Sequence, residues 1–284
     1  MASRVRHAAW LAMLAVLPVP AALAGPAPEE PWVVATYAYP QRDRAAAIRP
    51  LADYLAARGR HAVEVRVLPS PTALVAALRE GEVDVAVPNL HGYLQARSGV
   101  EGVVALPVPD VPPAQADRYR AVIVARPQVA TTAELRERAA HLRLVLVGPD
   151  SASGGFIPVA QLQALGLDPE ADFASLAYAG SHAAALQALV DGRADVAALA
   201  ADVYDAARAG GAHELWRSGP IPPGPLLCRG RDGVPCDAIV GWLLEAHDRD
   251  PAVMAALRAG WPEFGDAVSF VLPPAPAITL PRAD

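Results

Sequence analysis

The stretch Ala73-Leu-Val-Ala-Ala-Leu-Arg-Glu-Gly-Glu-Val-Asp-Val-Ala86 returns later in the chain as Ala184-Ala-Leu-Gln-Ala-Leu-Val-Asp-Gly-Arg-Ala-Asp-Val-Ala197. Gly81 and Gly192 stand 111 positions apart, and at that offset Ala73/Ala184, Ala77/Ala188, Leu78/Leu189, Asp84/Asp195, Val85/Val196 and Ala86/Ala197 coincide. Each copy reads as an apolar helix, a glycine stop, an acidic residue and a buried strand. Any helix-to-strand joint of an α/β protein converges on part of this pattern, whereas two similar lobes account for all of it. A spacing of about 110 residues gives each lobe the size of an ordinary domain.

Working outward, strand-length apolar runs fall at 32–37, 62–68, 83–87, 103–108, 119–125, 142–147, 173–178 and 194–199. Helix-length segments fall between or after them at 43–58, 71–80, 132–140, 156–165, 182–191, 237–248 and 251–259. The alternation predicts an α/β fold with mainly parallel sheets. Gly59, Gly81, Gly166 and Gly192 each follow a helical run, where a left-handed residue is expected. Two proline-rich stretches, 108–120 and 218–229, are read as segments crossing between lobes. The expected organisation is a leader at 1–24, lobe 1 from 32–112 and 226–284, and lobe 2 from 113–225. Two crossings create a cleft, where small ligands are commonly enclosed.

The chain has 284 residues, 53% hydrophobic, with a formal net charge of −6. Disorder as the main state is excluded. All 24 basic residues are arginine, with no basic stripe, so a nucleic-acid partner is not expected. Arg4 and Arg6 precede an apolar run and then Ala22-Leu-Ala24, the pattern of a secretory signal peptide cleaved after Ala24. Pro18 and Pro20 interrupt that run before it reaches the ~20 residues of a spanning helix. Cys228 and Cys236 lack the spacing of a structural zinc site. In an oxidising compartment they read as a structural disulfide across 229–235, the other readings being a redox pair or free thiols. No paired ligand spacing is found among the histidines, so neither a metal nor a cofactor is expected.

Two strand-to-helix junctions carry chemistry. Gly148-Pro-Asp-Ser-Ala-Ser-Gly-Gly155 offers the Ser151 and Ser153 hydroxyls, with Gly154 and Gly155 permitting close backbone approach. The first N–H groups of the following helix point into the same space. The turn reads either as an anion cradle that needs no buried cation or as a plain N-cap by Ser153. Its serines do not form the nucleophile elbow of a hydrolase. In Ala179-Gly-Ser-His182, Ser181 is placed as N-cap and His182 at the first helical position. His182 is either a solvated surface residue or a donor to an oxyanion, in which case its removal should weaken binding most at acidic pH. After the first and third strands, Tyr37, Tyr39, Asn89, His91 and Tyr93 lie at the sheet edge where open α/β folds bind ligands.

Asp150-Ser-Ala-Ser-Gly154, and Ala179-Gly-Ser-His182 with Ala-Leu-x-Ala-Leu-x-x-Gly-x-x-Asp behind it, resemble the phosphate/phosphite/phosphonate family of ABC-transporter substrate-binding proteins. The likeness extends more weakly from Trp32 to about Phe264 and includes Ile221-Pro-Pro-Gly-Pro-Leu-Leu227. It implies a two-lobe type II periplasmic-binding-protein fold and a periplasmic receptor that presents a small phosphorus oxyanion to a membrane ABC permease. By position, Ser151, Ser153, Gly154 and His182 would hold the oxyanion beside Ser181, with Tyr37 a first-lobe contact and Tyr39, Asn89 and His91 further ones. The stretches 195–201 and 88–91 depart from the family pattern, which leaves the organic end of the ligand open. No nucleophile with a matched base appears, so a binding protein acting as a monomer is expected rather than an enzyme. The alternatives are a binder of another small anion, such as a sulfonate, and an exported sensor or interaction module.

Overall fold

A computed structural model describes residues 30–40, 42–207, 211–231 and 233–273; the expected leader lies outside the described residues. Strand β1 (Trp32–Tyr37) is buried along its whole length. Successive side chains of a strand point to opposite faces. Trp32 and Val34 accordingly join one apolar cluster with Ile48, Leu51 and Leu55, while Val33, Ala35 and Tyr37 join another with Leu74 and Leu78. A strand apolar on both faces needs helices on both sides. α1 (Arg44–Gly59) and α2 (Pro71–Glu80), flanking β2 (Val63–Leu68) in sequence, supply them.

β3 (Val85–Ala86), α3 (Leu90–Gly99) and β4 (Val103–Ala105) follow, and the chain then crosses through β5 (Val108–Pro109) and α4 (Pro113–Ala116). The second half begins with β6 (Ala121–Ala125), α5 (Thr132–Arg138) and β7 (Arg143–Leu146). A π-helical turn, Ala152–Phe156, runs into α6 (Ile157–Ala164), followed by β8 (Ser175–Tyr178) and α7 (His182–Val190). β9 (Val196–Ala200), α8 (Ala201–Ala207) and β10 (His213–Arg217) complete this half. Residues 218–226 lead back to β11 (Leu227–Arg229), α9 (Cys236–Arg249), α10 (Ala252–Gly260) and β12 (Phe270–Val271), which pairs with β5.

Two five-stranded sheets result, in the orders β2-β1-β3-β11-β4 and β8-β7-β9-β6-β10. Parallel pairing, expected without specific partners, joins β1–β2, β1–β3, β7–β8 and β7–β9. The strands entered by the crossings, β11 and β6, add antiparallel pairs inside each sheet. The orders match strand for strand, so the repeat in the sequence is a repeat in space. Its acidic residue has the same task twice. Asp84 accepts the Val33 N–H at 2.8 Å and pairs with Arg231, while Asp195 accepts the Arg143 N–H at 3.0 Å and pairs with the Arg143 guanidinium at 2.9 Å. Each carboxylate ties the loop before a central strand to its neighbour.

Gly81, Gly166 and Gly192 adopt positive φ as expected. Gly59 does not: Arg60 is the left-handed residue, with φ 50°, and Gly59 is glycine for another reason. A Cβ there would overlap the Trp32 ring. The Cys228–Cys236 disulfide is formed, with Cα atoms 5.8 Å apart, and joins β11 to the start of α9. Among the described residues no helix is long and apolar enough to cross a membrane.

Candidate functional site

The two serine turns hang from one residue at the end of β7. The Val147 N–H donates to Gly154 O at 2.8 Å, and Val147 O accepts the Gly180 N–H at 2.8 Å. This lacing sets the turns side by side in the second half, where a Cβ on Gly154 would lie 3.1 Å from His182 Cε1. Ser151, not Ser153, is the cap of the π-helical turn, its Oγ accepting the Gly154 N–H at 3.1 Å. A hydroxyl that accepts in this way keeps its own hydrogen to donate. Ser181 caps α7 by accepting the Ala184 N–H at 3.2 Å.

A cavity of about 600 Å³ lies over these turns, lined from both halves of the molecule. From the second half come Gly148, Asp150, Ser151, Ala152, Gly180, His182 and Asp202; from the first come Tyr37, Tyr39, Arg42, Arg44, Ser70, Asn89 and Glu263, with Tyr119 from the crossing. Of the residues picked out in the sequence, Tyr37, Tyr39, Asn89, Ser151 and His182 line it. Ser153, Gly154, Ser181 and His91 do not. Ser153 is fully buried, with Oγ 2.9 Å from the Tyr119 hydroxyl, and so positions that tyrosine. His91 stacks on Phe156, with ring centroids 4.3 Å apart.

His182 is buried, and its Nδ1 accepts the Ala200 N–H at 3.0 Å. With that lone pair used, the ring proton of the neutral form sits on Nε2, a donor without charge. Burial pushes the imidazole pKa down to about 4. The acid-side effect expected from the sequence is therefore replaced. His182→Ala should weaken oxyanion binding by a similar factor at about pH 6 and about pH 8, as measured by calorimetric titration. Stability carries the matching signature. The unfolded ring takes a proton below 6.5, so the burial of neutral His182 counts in full above that pH and is lost as pH falls toward 4, about 3 kcal/mol in all.

The halves touch across the cavity. Asn89 caps α3 through Oδ1 and donates from Nδ2 to Asp150 O at 2.9 Å. The Asp150 carboxylate accepts from Thr72 Oγ1 at 3.3 Å and Thr72 N at 3.4 Å, at the start of α2. That helix is capped by Ser70, whose Oγ accepts the Ala73 N–H at 3.1 Å. These capped helical N-termini thus converge at or beside the cavity, and their unused N–H groups and dipoles favour negative charge there. Sequence reasoning missed Ser70, although it stands 111 positions before Ser181 and the repeat points to it. It also missed the cations: Arg42 and Arg44 are in the wall of a pocket expected to do without them. Burial raises the pKa of Tyr37 to about 12 and that of Tyr119 well above its ordinary range, so both hydroxyls keep their protons to donate.

Two lobes of doubly wound sheet enclosing a donor-rich cavity define a solute-binding protein of the type II class. The sequence matches the profile of a family described as ABC transporter, phosphonate, periplasmic substrate-binding protein, over residues 33–267. The chain belongs to that family. Its fold is similar to XAC2383 from Xanthomonas citri bound to chloride, with 20% identity, 86% of this chain and 92% of the other covered, and a TM-score of 0.68. It is also similar to PhnD1 from Prochlorococcus marinus in complex with methylphosphonate, with 16% identity, coverage of 85% and 93%, and a TM-score of 0.63. The binding-protein component of an ABC phosphonate transporter from Pseudomonas aeruginosa gives 16% identity, coverage of 85% and 81%, and a TM-score of 0.63. Among curated protein sequences no match is found.

Proposed function

We propose that the cavity takes a small phosphorus oxyanion, a phosphonate, phosphite or phosphate, and that the chain hands it unchanged to a membrane ABC permease. The observation that carries this reading is the pair of serine turns laced to Val147, which aim a hydroxyl, helix N-termini and a neutral His182 into one cavity. The oxygens would be held by Ser151, by the Nε2–H of His182, by Tyr37 and by turn amides, with Ser153 acting through Tyr119. Capture without chemistry fits the same geometry. His182 spends Nδ1 on a backbone N–H, so its neutral ring has no lone pair left to act as a base toward Ser151.

The lobes are assigned to 32–112 with 226–284 and to 113–225, and the leader is removed after Ala24 to release a monomer in the periplasm. A formal charge of −6 argues against a nucleic-acid partner. Calorimetric titration with methylphosphonate, phosphite, phosphate and methanesulfonate tests the reading, together with melting curves. A phosphorus ligand at 100 times its Kd should add about 2.7 kcal/mol of stability. Binding of methanesulfonate alone would assign the site to sulfonates. Binding of none, with a membrane partner recovered in pull-down, would make the chain a sensor.

A further inference from the structure

We propose that Arg44 is the charged partner of the bound oxyanion and gives the site its preference for a doubly charged phosphorus group over a singly charged group of the same shape. The assignment rests on the reading just given and adds to it a cation that the serine turns do not supply. Arg44 is the first residue of α1 and lines the cavity, yet it is only 4% exposed. Its guanidinium carbon lies 4.0 Å from the ring centre of Tyr37, 4.5 Å from that of Trp261 and 5.0 Å from that of Tyr39. Nε donates to Gly260 O at 3.3 Å, while Nη1 is buried without a hydrogen-bond partner. Among the described residues no carboxylate comes within 4.0 Å of it.

Such a placement works against the fold. A buried cation without an ion pair is costly, and the N-terminus of a helix is the wrong end for it. Three aromatic faces recover part of that cost and also fix the plane of the guanidinium. Glu263, buried in the same wall, feels Arg44 but stays beyond ion-pair distance, and burial pushes its carboxyl toward the protonated form. Arg42 is engaged elsewhere, with Nη1 on Ala259 O at 2.8 Å. What would compensate Arg44 is an anion entering the cavity, and an oxyanion with two charges gains more from it than one with a single charge.

Methylphosphonate and methanesulfonate have the same tetrahedral shape, and at mildly alkaline pH they carry two charges and one. Calorimetric titration of wild type, Arg44→Gln and Arg44→Lys with both probes, with melting temperatures of the ligand-free proteins, makes the test. Arg44→Gln should lose methylphosphonate affinity by about 10- to 100-fold. Its methanesulfonate affinity should fall much less, and Arg44→Lys should recover part of the preference, since it restores charge without the planar fork. An equal loss for both probes would make Arg44 a packing element and overturn the assignment, as would an unchanged Arg44→Gln. Should Arg44→Gln fail to fold, Arg44→Met, which keeps a long side chain without the charge, decides: a preference undiminished from wild type overturns it. Those results leave the phosphorus-site reading intact, whereas a wild type that takes neither these probes nor phosphite nor phosphate overturns both.

Discussion

Gly155→Ala is expected to destabilise the protein by about 3 kcal/mol or more and to weaken phosphonate binding at least tenfold. The residue closes the first serine turn over the end of β7, and a Cβ there would overlap the carbonyl oxygen of Gly148. That atom is backbone and cannot swing aside. The same carbonyl accepts the Ser151 N–H at 3.2 Å, so displacing it moves the cap that positions the Ser151 hydroxyl. The loss should therefore appear in two measurements, urea unfolding and calorimetric titration. A variant as stable as wild type would mean that the turn relaxes freely and is not a rigid cradle.

Asp84→Ala should cost about 3–5 kcal/mol, because removing one partner strands the other members of a buried polar group. Asp84 is 1% exposed, and its carboxylate accepts the Val33 N–H and pairs with Arg231, with Nη2 at 2.9 Å. Arg231 lies in the segment closed by the Cys228–Cys236 disulfide, so the carboxylate ties β1, β3 and the start of the C-terminal helices together. Asp195→Ala removes the equivalent clamp in the second half. The Asp195 side chain is 12% exposed and that of Arg143 43%, against 1% for Asp84 and 33% for Arg231, so the cost there should be smaller. Equilibrium unfolding of the two variants makes the comparison, and equal costs would show that burial is not what sets them apart.

Most of the fold could be read because its central elements are periodic and apolar. β1, α2 and α7 lie within a residue of their expected bounds, since a fully apolar run and a capped, glycine-stopped helix are strong local signals. α3 was missed: it contains Gly92 and Gly99 and starts directly after Pro88 and the Asn89 cap, which together read as a loop. β10, with the sequence His-Glu-Leu-Trp-Arg, and the three-residue β11 were missed because their pairing partners, not their own composition, make them strands. The site divides the same way. Ser151 and His182 were visible from strand-turn-helix spacing. Arg44 was not, since Trp261 and Glu263 are brought to it only when the chain returns after its second crossing. A cation that belongs to the site through distant aromatic rings leaves no mark on its own stretch of sequence.

The interleaving of β6 and β11 bears on how the molecule is made. A nascent chain emerging from its N-terminus can lay down β1, β2 and β3, but the strand that joins β3 to β4 is supplied only after the whole second sheet has been synthesised. The half begun first in sequence is thus the half completed last in space. A translation product that stops short of Leu227 would hold every strand of the later sheet while its earlier one stayed split down the middle.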